Sequence, residues 1–133
     1  MRSMNTPGLS FAALRAANVT RCGGAFHPIE AWSSTDWGCA TAGEVGEACN
    51  IAKKLRRLDE GGADTRLPIT GGPRAADTLV LARANLERDL AEEFADVAIY
   101  LDLWAARHGI DLAEAIRAKF NKVSEKRGSD VRL

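Results

Sequence analysis

Apolar side chains recur along this chain with the period of an α-helix. No long stretch alternates apolar and polar residues, and neither Asn-Gly nor Asp-Gly occurs, so strands and hairpins are not predicted. The first helix is predicted over residues 10–21, with a stop at Gly23 and Gly24 and a loop over residues 23–29. Three longer helices are predicted after it.

The second helix is predicted over residues 35–58. Thr35 is a suitable N-cap, and the basic residues at 53–57 suit the negative C-terminal end of a helix. One face of this helix is defined by six positions that follow each other at alternating intervals of four and three residues. They are Trp37, Thr41, Glu44, Ala48, Ile51 and Leu55.

The third helix follows a segment rich in glycine and proline. Residues 60–73 contain both residue types repeatedly and are predicted to be a long loop, while residues 78–84 fit either a helix or a short extended piece. A helix is predicted from Leu86 until Gly109, a typical C-terminal residue. Its apolar stripe is Leu86, Leu90, Phe94, Val97, Leu101 and Trp104.

The last helix is predicted to begin at Asp111, with Glu114 completing a capping box, and to end near Gly128. Its apolar face is Leu112, Ile116, Phe120 and Val123. We therefore predict one domain over residues 1–133. The predicted fold class is all-α, a four-helix-type bundle with the long Gly/Pro-rich loop between the second and third helices.

Composition narrows the function classes. The 133 residues carry 18 basic and 18 acidic side chains, a net charge of zero that argues against a dedicated nucleic-acid or anionic-membrane binder. No apolar run is long enough for a membrane span, and residues 1–8 lack the layout of a signal peptide. The three cysteines show no CxxC spacing. We expect reduced thiols and a cytoplasmic location.

Four acids lie on or beside the apolar faces of the second and third helices. Glu44 and Glu47 form one pair, and Glu93 and Asp96 form another, each with a spacing that places both carboxylates on one side of a helix. If the two stripes pack together, the pairs converge, and no lysine or arginine at matching spacing offsets their repulsion. A hard divalent cation with oxygen ligands would do so, which predicts a Mg²⁺ site.

These residues also carry a family resemblance. Glu44-Val-Gly-Glu47, the run at 92–101, Gly-Ile-Asp-Leu at 109–112 and the run at 119–127 resemble the MazG-like all-α nucleoside triphosphate pyrophosphohydrolases, in their small bacterial and phage versions. The resemblance covers residues 31–127 and leaves residues 1–30 as an N-terminal helix and loop. It implies a Mg²⁺-dependent homodimer or homotetramer, with Glu44, Glu47, Glu93 and Asp96 as catalytic metal ligands.

The activity that this resemblance implies is cleavage of an NTP or dNTP to the monophosphate and pyrophosphate. We expect a metal-activated water to attack the α-phosphate, with one or two Mg²⁺ ions held by the four acids. Six side chains are candidates for substrate contacts: Trp37, Asn50, Lys54, Tyr100, Lys119 and Asn121. For each of them the alternative is an ordinary structural role, core packing for the two aromatic residues and a solvated side chain for the others.

Two departures from the family limit what is carried over. The two acidic motifs stand farther apart than is usual, because the Gly/Pro-rich loop lies between them. Lys54 stands where relatives that cleave dCTP often have a tryptophan, so their base preference is not transferred. Two other functions stay open: a non-catalytic helical dimerisation or regulatory module, and phosphoribosyl-ATP pyrophosphohydrolase.

Overall fold

A computed structural model describes residues 8–61 and 75–133, and it describes the side chains of residues 8–61 and 78–133. This part of the chain contains four α-helices and no strand: α1 (Phe11–Arg21), α2 (Ser34–Asp59), α3 (Ala75–Arg107) and α4 (Leu112–Arg127). The predicted all-α class is therefore confirmed. The predicted loop at 60–73 lies, from residue 62 onward, outside the described residues. Over the described residues, no helix is long and apolar enough to cross a membrane.

Side-chain caps fix where three of the helices begin. Ser10 accepts a hydrogen bond from the backbone N–H of Ala13 at the start of α1, and Asp111 accepts one from the backbone N–H of Glu114 at the start of α4. The predicted start of α4 at Asp111 is thus confirmed, but the capping box is not complete among the described residues, because the Glu114 carboxylate accepts from Arg117. The predicted cap of α2 at Thr35 is wrong. Ser33 caps this helix, because its hydroxyl accepts from the Asp36 N–H while the Asp36 carboxylate accepts from the Ser33 N–H at 2.8 Å. The Ser33 hydroxyl also donates to the Asp36 carboxylate at 2.8 Å, and this bond, together with the one from the Ser33 N–H, lowers the pKa of Asp36.

The loop predicted after α1 is also wrong at its start. Residues Cys22–Phe26 continue as one π-helical turn, and a short 3-10 turn follows at Ile29–Ala31. The backbone N–H of His27 donates to the Cys22 carbonyl at 2.8 Å, which closes the wide turn. Gly23 and Gly24, the predicted stop of the first helix, therefore lie inside this π-helical turn.

The ambiguous segment before the third apolar stripe is helical. α3 begins at Ala75, so residues 78–84 belong to the helix, and it ends two residues before Gly109. Gly109 has φ of 64° and Gly128, after α4, has φ of 67°. Both glycines therefore adopt the left-handed conformation that ends helices, which confirms the two predicted stops.

The described chain divides into two compact units. The first spans Met1–Gly38 and Ile99–Leu133, and we call it the aromatic unit; the second spans Cys39–Ala98, and we call it the acidic unit. The buried core of the aromatic unit is Cys22, Ile29, Trp37 and Leu103. Partly buried hydrophobic residues pack around it: Trp32, Ile99, Tyr100, Trp104 and Ala106.

A buried carboxylate ties the aromatic unit together. Asp102 is 1% exposed and accepts hydrogen bonds from Arg15 Nε at 3.1 and 3.2 Å and from Asn18 Nδ2 at 3.0 Å. Arg15 also donates to the Ile110 carbonyl at 2.8 Å, and Asn18 donates to that of Ile99 at 3.3 Å. Because every donor has an acceptor in the same unit, the network holds α1 against the end of α3.

The three predicted apolar stripes differ in burial. On α2 the prediction is confirmed, since all six stripe residues are buried or half-buried: Trp37, Thr41, Glu44, Ala48, Ile51 and Leu55. On α3 it is wrong at Phe94, which is 60% exposed, and at Leu101. On α4, Ile116, Phe120 and Val123 are 39–43% exposed. Hydrophobic spacing marks these faces as apolar, but the single chain does not cover them.

Candidate metal site

Three carboxylates of the acidic unit converge between α2 and α3. Glu44 and Glu47 lie three residues apart on α2, so the helix turns both to the same side, and Glu93 lies on α3. One carboxylate oxygen from each of the three lies within 4.8 Å of the others. Glu44 and Glu93 are half-buried, and Glu47 is exposed. The site is thus open to solvent on one side.

The environment of these acids opposes their negative charge. Partial burial raises the pKa of Glu44, and repulsion from Glu47 and Asp96 adds to the rise, whereas a hydrogen bond with Glu93 counteracts it. Partial burial also raises the pKa of Glu93, followed by interactions with Glu47, Glu44 and Asp96. The cluster therefore favours bound protons or a bound cation over free carboxylates.

The oxygen of Glu93 that lacks a partner is the most informative atom of the cluster. Glu93 Oε2 is buried and accepts no hydrogen bond within the described part of the chain. No lysine or arginine among the described residues forms an ion pair with Glu44, Glu47 or Glu93. A buried anionic oxygen without a donor is costly. A divalent cation with oxygen ligands fits this donor set, since it would neutralise the charge and satisfy that oxygen.

Asp96 stands apart from the other three predicted ligands. Its side chain is exposed and offers no atom to the group of three. Its charge still reaches the group, because it contributes to the raised pKa of both Glu44 and Glu93. The structure thus brings together three of the four acids expected at the site, with the fourth beside them.

The predicted substrate contacts fall in both units. Asn50 is exposed and Lys54 is half-buried on α2, in the same unit as the acids. Trp37 belongs to the aromatic unit, where it is 2% exposed and its indole N–H donates to the Ile29 carbonyl at 3.1 Å. The half-buried Tyr100 ring lies 6.3 Å from the Trp37 ring. Both aromatic side chains therefore help to form the core of that unit.

The two predicted contacts on α4 also lie in the aromatic unit. Asn121 Nδ2 donates to the Leu133 carbonyl at 3.3 Å, and Asn121 Oδ1 accepts from the Leu133 N–H at 2.9 Å. This amide consequently holds the residues after α4 against the helix. Lys119 is exposed and borders an open apolar surface of α4.

Sequence reasoning missed the network around Asp102. The signal was present, because Asp102 interrupts the apolar run at 97–106, and a lone acid in such a run requires a partner. The partners Arg15 and Asn18 lie more than eighty positions earlier. No helical spacing connects residues that far apart.

Comparison with protein-family models, with curated proteins and with solved structures finds no match to this chain. The chemistry of this chain is therefore inferred from the geometry of its acids. Three carboxylate oxygens converge, two of the groups have a raised pKa, and one buried oxygen has no donor within the described residues. Such a set can hold a hard divalent cation.

Proposed function

We propose that this chain is a Mg²⁺-dependent nucleoside triphosphate pyrophosphohydrolase of the MazG-like type, which cleaves an NTP or dNTP to the monophosphate and pyrophosphate. The observation that carries the proposal is the convergence of Glu44, Glu47 and Glu93 around a buried oxygen without a donor in the described chain. A pure scaffold gains nothing from such a cluster, because burying unpaired charge is destabilising. The resemblance of both acidic motifs to that family supports the same assignment.

The positions of the four acids lead us to assign metal binding to three of them and a different role to Asp96. Glu44, Glu47 and Glu93 would hold the cation, which would satisfy the buried Glu93 oxygen. When bound, Mg²⁺ supplies positive charge to the triphosphate and lowers the pKa of water. Asp96 is exposed beside the trio, so we assign it to orienting the water that attacks the α-phosphate. The exposed Asn50 and the half-buried Lys54, on the same unit, are the phosphate contacts that we retain.

The proposal includes a homodimer or homotetramer. α3 exposes Phe94, at 60%, and also Val80 and Leu81, which are 69% and 62% exposed. A second copy that packs against α3 would remove such side chains from water. Sedimentation velocity at micromolar concentration should show a species of at least twice 14.3 kDa. A clean monomer would contradict this part of the proposal.

The first experiment is pyrophosphate release from the common NTPs and dNTPs, with Mg²⁺ and with EDTA. We expect release from at least one nucleotide that requires the metal, and the ranking of rates then identifies the substrate. Release that persists in EDTA would refute the metal-dependent mechanism. Folded protein that releases no pyrophosphate from any nucleotide would direct the assay to phosphoribosyl-ATP.

Ligand linkage separates the enzyme from a non-catalytic module. A protein that binds Mg²⁺ with a nucleotide is stabilised by both ligands, so its melting temperature should rise when they are added together. The Glu47→Gln variant should lose this rise, whereas Glu92→Gln should keep it, because Glu92 is exposed and outside the group of three. A helical module without a nucleotide site would melt at the same temperature with and without the ligands.

A further inference from the structure

A serine and a histidine of the aromatic unit are hydrogen-bonded to each other outside the metal site. Ser34 is the first residue of α2, and His108 directly follows the last residue of α3. Ser34 Oγ lies 2.8 Å from His108 Nε2. This distance is the one that a nucleophilic hydroxyl and its general base require. Neither residue belongs to the group of three acids, so the pair is independent of the proposed metal chemistry.

Trp104 determines how the protons of this pair are arranged. Its indole Nε1 lies 2.9 Å from Ser34 Oγ, and an indole N–H can only donate, so the serine oxygen accepts this bond. The hydroxyl hydrogen of Ser34 is then left to donate, and His108 Nε2 is its acceptor. A neutral His108 with its proton on Nδ1 satisfies all three groups. The hydroxyl therefore points its proton at a base.

The start of α2 favours negative charge on the Ser34 oxygen. The Trp104 N–H remains a donor when this oxygen loses its proton, and the N-terminal end of the 26-residue helix is positive. The backbone N–H groups of Ser34 and Thr35 donate to no acceptor among the described residues, since the first turn of a helix has no intrahelical acceptors. Such N–H groups stabilise the oxyanion that forms during acyl transfer.

We propose that Ser34 is a nucleophile, with His108 as its general base, for the hydrolysis of small carboxylic esters. Ser34 Oγ attacks the carbonyl carbon while its proton passes to His108 Nε2, which returns the proton to the leaving alkoxide as the ester C–O bond breaks. Water then cleaves the acyl-serine by the same proton route, which releases the carboxylic acid and regenerates the hydroxyl. Trp104 is a positioning residue, because it holds the oxygen without reacting.

Exposure sets the size of the substrate. His108 is exposed and Ser34 is half-buried, so an ester reaches the pair from solvent. An open site offers little contact to a long acyl chain, whereas tight binding of a large ligand requires a concave pocket. We therefore expect turnover of acetyl esters and no gain in rate for long-chain esters.

The first test is covalent labelling of the full chain with an alkyl fluorophosphonate. An activated serine displaces fluoride from this probe and forms an O–P bond, whereas an ordinary serine hydroxyl is too weak a nucleophile. Tandem mass spectrometry should locate the adduct at Ser34 and not at the neighbouring Ser33. Labelling should disappear in urea, because unfolding separates Ser34 from His108. No adduct at Ser34, or equal labelling of folded and unfolded chains, would overturn the proposal.

Variants test the role of the base. His108→Gln keeps a polar side chain but removes the base, so labelling and hydrolysis of p-nitrophenyl acetate should both slow about a hundredfold. His27→Gln is the matched control and should keep both rates, because His27 bonds to the Pro28 carbonyl. An unchanged rate in His108→Gln would overturn the proposal and leave these hydrogen bonds as a structural link between α2 and α3.

Trp104→Phe tests positioning, since it keeps an aromatic ring but removes the N–H donor. It should slow labelling about tenfold while the far-ultraviolet circular dichroism stays that of the wild type. EDTA separates this activity from the proposed pyrophosphohydrolase, because labelling of Ser34 should be the same with Mg²⁺ and with EDTA. Labelling that is lost in EDTA would contradict a reaction that depends on Ser34 and His108 alone.

Discussion

Two acids of the same helix, Asp102 and Glu93, show opposite solutions to burial. Asp102, in the aromatic unit, is 1% exposed, and its carboxylate is bonded by Arg15 and Asn18. Glu93, in the acidic unit, is less buried, yet its Oε2 has no donor among the described residues, and its neighbours Glu44 and Glu47 are also acids. Among the described residues, the guanidinium of Arg15 pairs with the Asp102 carboxylate, and no cation pairs with that of Glu93.

This difference distinguishes an acid with a structural role from an acid that is a candidate metal ligand. A buried carboxylate that the fold itself satisfies has no capacity left for a metal. A carboxylate that the fold leaves unsatisfied keeps that capacity at a cost in stability. The comparison therefore predicts which substitutions affect turnover and which affect only folding.

The largest expected effect is on turnover in the acidic unit. Glu93→Gln keeps the shape of the side chain but removes its charge, so metal binding should weaken and kcat should fall about a thousandfold. The adjacent Glu92→Gln is the matched control and should keep full activity, because Glu92 is exposed and outside the cluster. Steady-state pyrophosphate release measures both. An active Glu93→Gln enzyme would remove Glu93 from the metal site.

The next effect is on stability in the aromatic unit. Arg15→Met leaves Asp102 buried without its cation, which should lower the free energy of unfolding by about 3 kcal/mol. Arg88→Met is the control, since Arg88 pairs with Asp89 at the surface and should change stability by less than about 0.5 kcal/mol. Urea denaturation gives both values. Equal losses would mean that the buried Arg15–Asp102 pair contributes no more to the free energy of unfolding than the exposed Arg88–Asp89 pair.

The periodicity of the sequence predicted the helices and the buried face of α2 but not the partners of these acids. The six-residue stripe of α2 follows from spacing alone, because its members lie on one side of one helix. On α3 the same reasoning chose a face that includes Phe94, which is 60% exposed. Spacing identifies an apolar face but does not say whether the single chain covers it. Likewise, Arg15 reaches Asp102 through the tertiary fold.

The two units should also respond differently to pH in the absence of metal. The pKa values of Glu44 and Glu93 are raised above 4.5, so the folded state holds their protons more tightly than the unfolded state. Their contribution to stability is therefore complete below pH 4.5 and is lost as the pH rises through the folded pKa values. Urea midpoints measured in EDTA should show this loss.

Substitution isolates that contribution. The double variant Glu44→Gln and Glu93→Gln should lack this loss of stability on raising the pH, because neither side chain then titrates. Adding Mg²⁺ at neutral pH should restore stability to the wild type but not to the double variant. A wild type and double variant with parallel pH profiles would contradict the raised pKa values of Glu44 and Glu93.

The smallest expected effects compare packing in the two units. A Cβ added at Gly38 would lie 3.1 Å from Cη2 of Trp104, so Gly38→Ala should destabilise by about 1 kcal/mol despite its better helix propensity. At Gly43 a Cβ meets nothing within 4 Å, and Gly43→Ala should stabilise by about 0.5 kcal/mol. Thermal unfolding measures both shifts. Two shifts of the same sign would contradict the close approach of Trp104 to Gly38.

The grouping of the aromatic side chains has a spectroscopic consequence. All three tryptophans, Trp32, Trp37 and Trp104, and the single tyrosine, Tyr100, belong to the aromatic unit. Intrinsic fluorescence therefore reports on that unit alone, while far-ultraviolet circular dichroism reports on helices of both. Melting curves recorded by the two methods on one unlabelled sample will coincide if the units unfold together and separate if the acidic unit unfolds first.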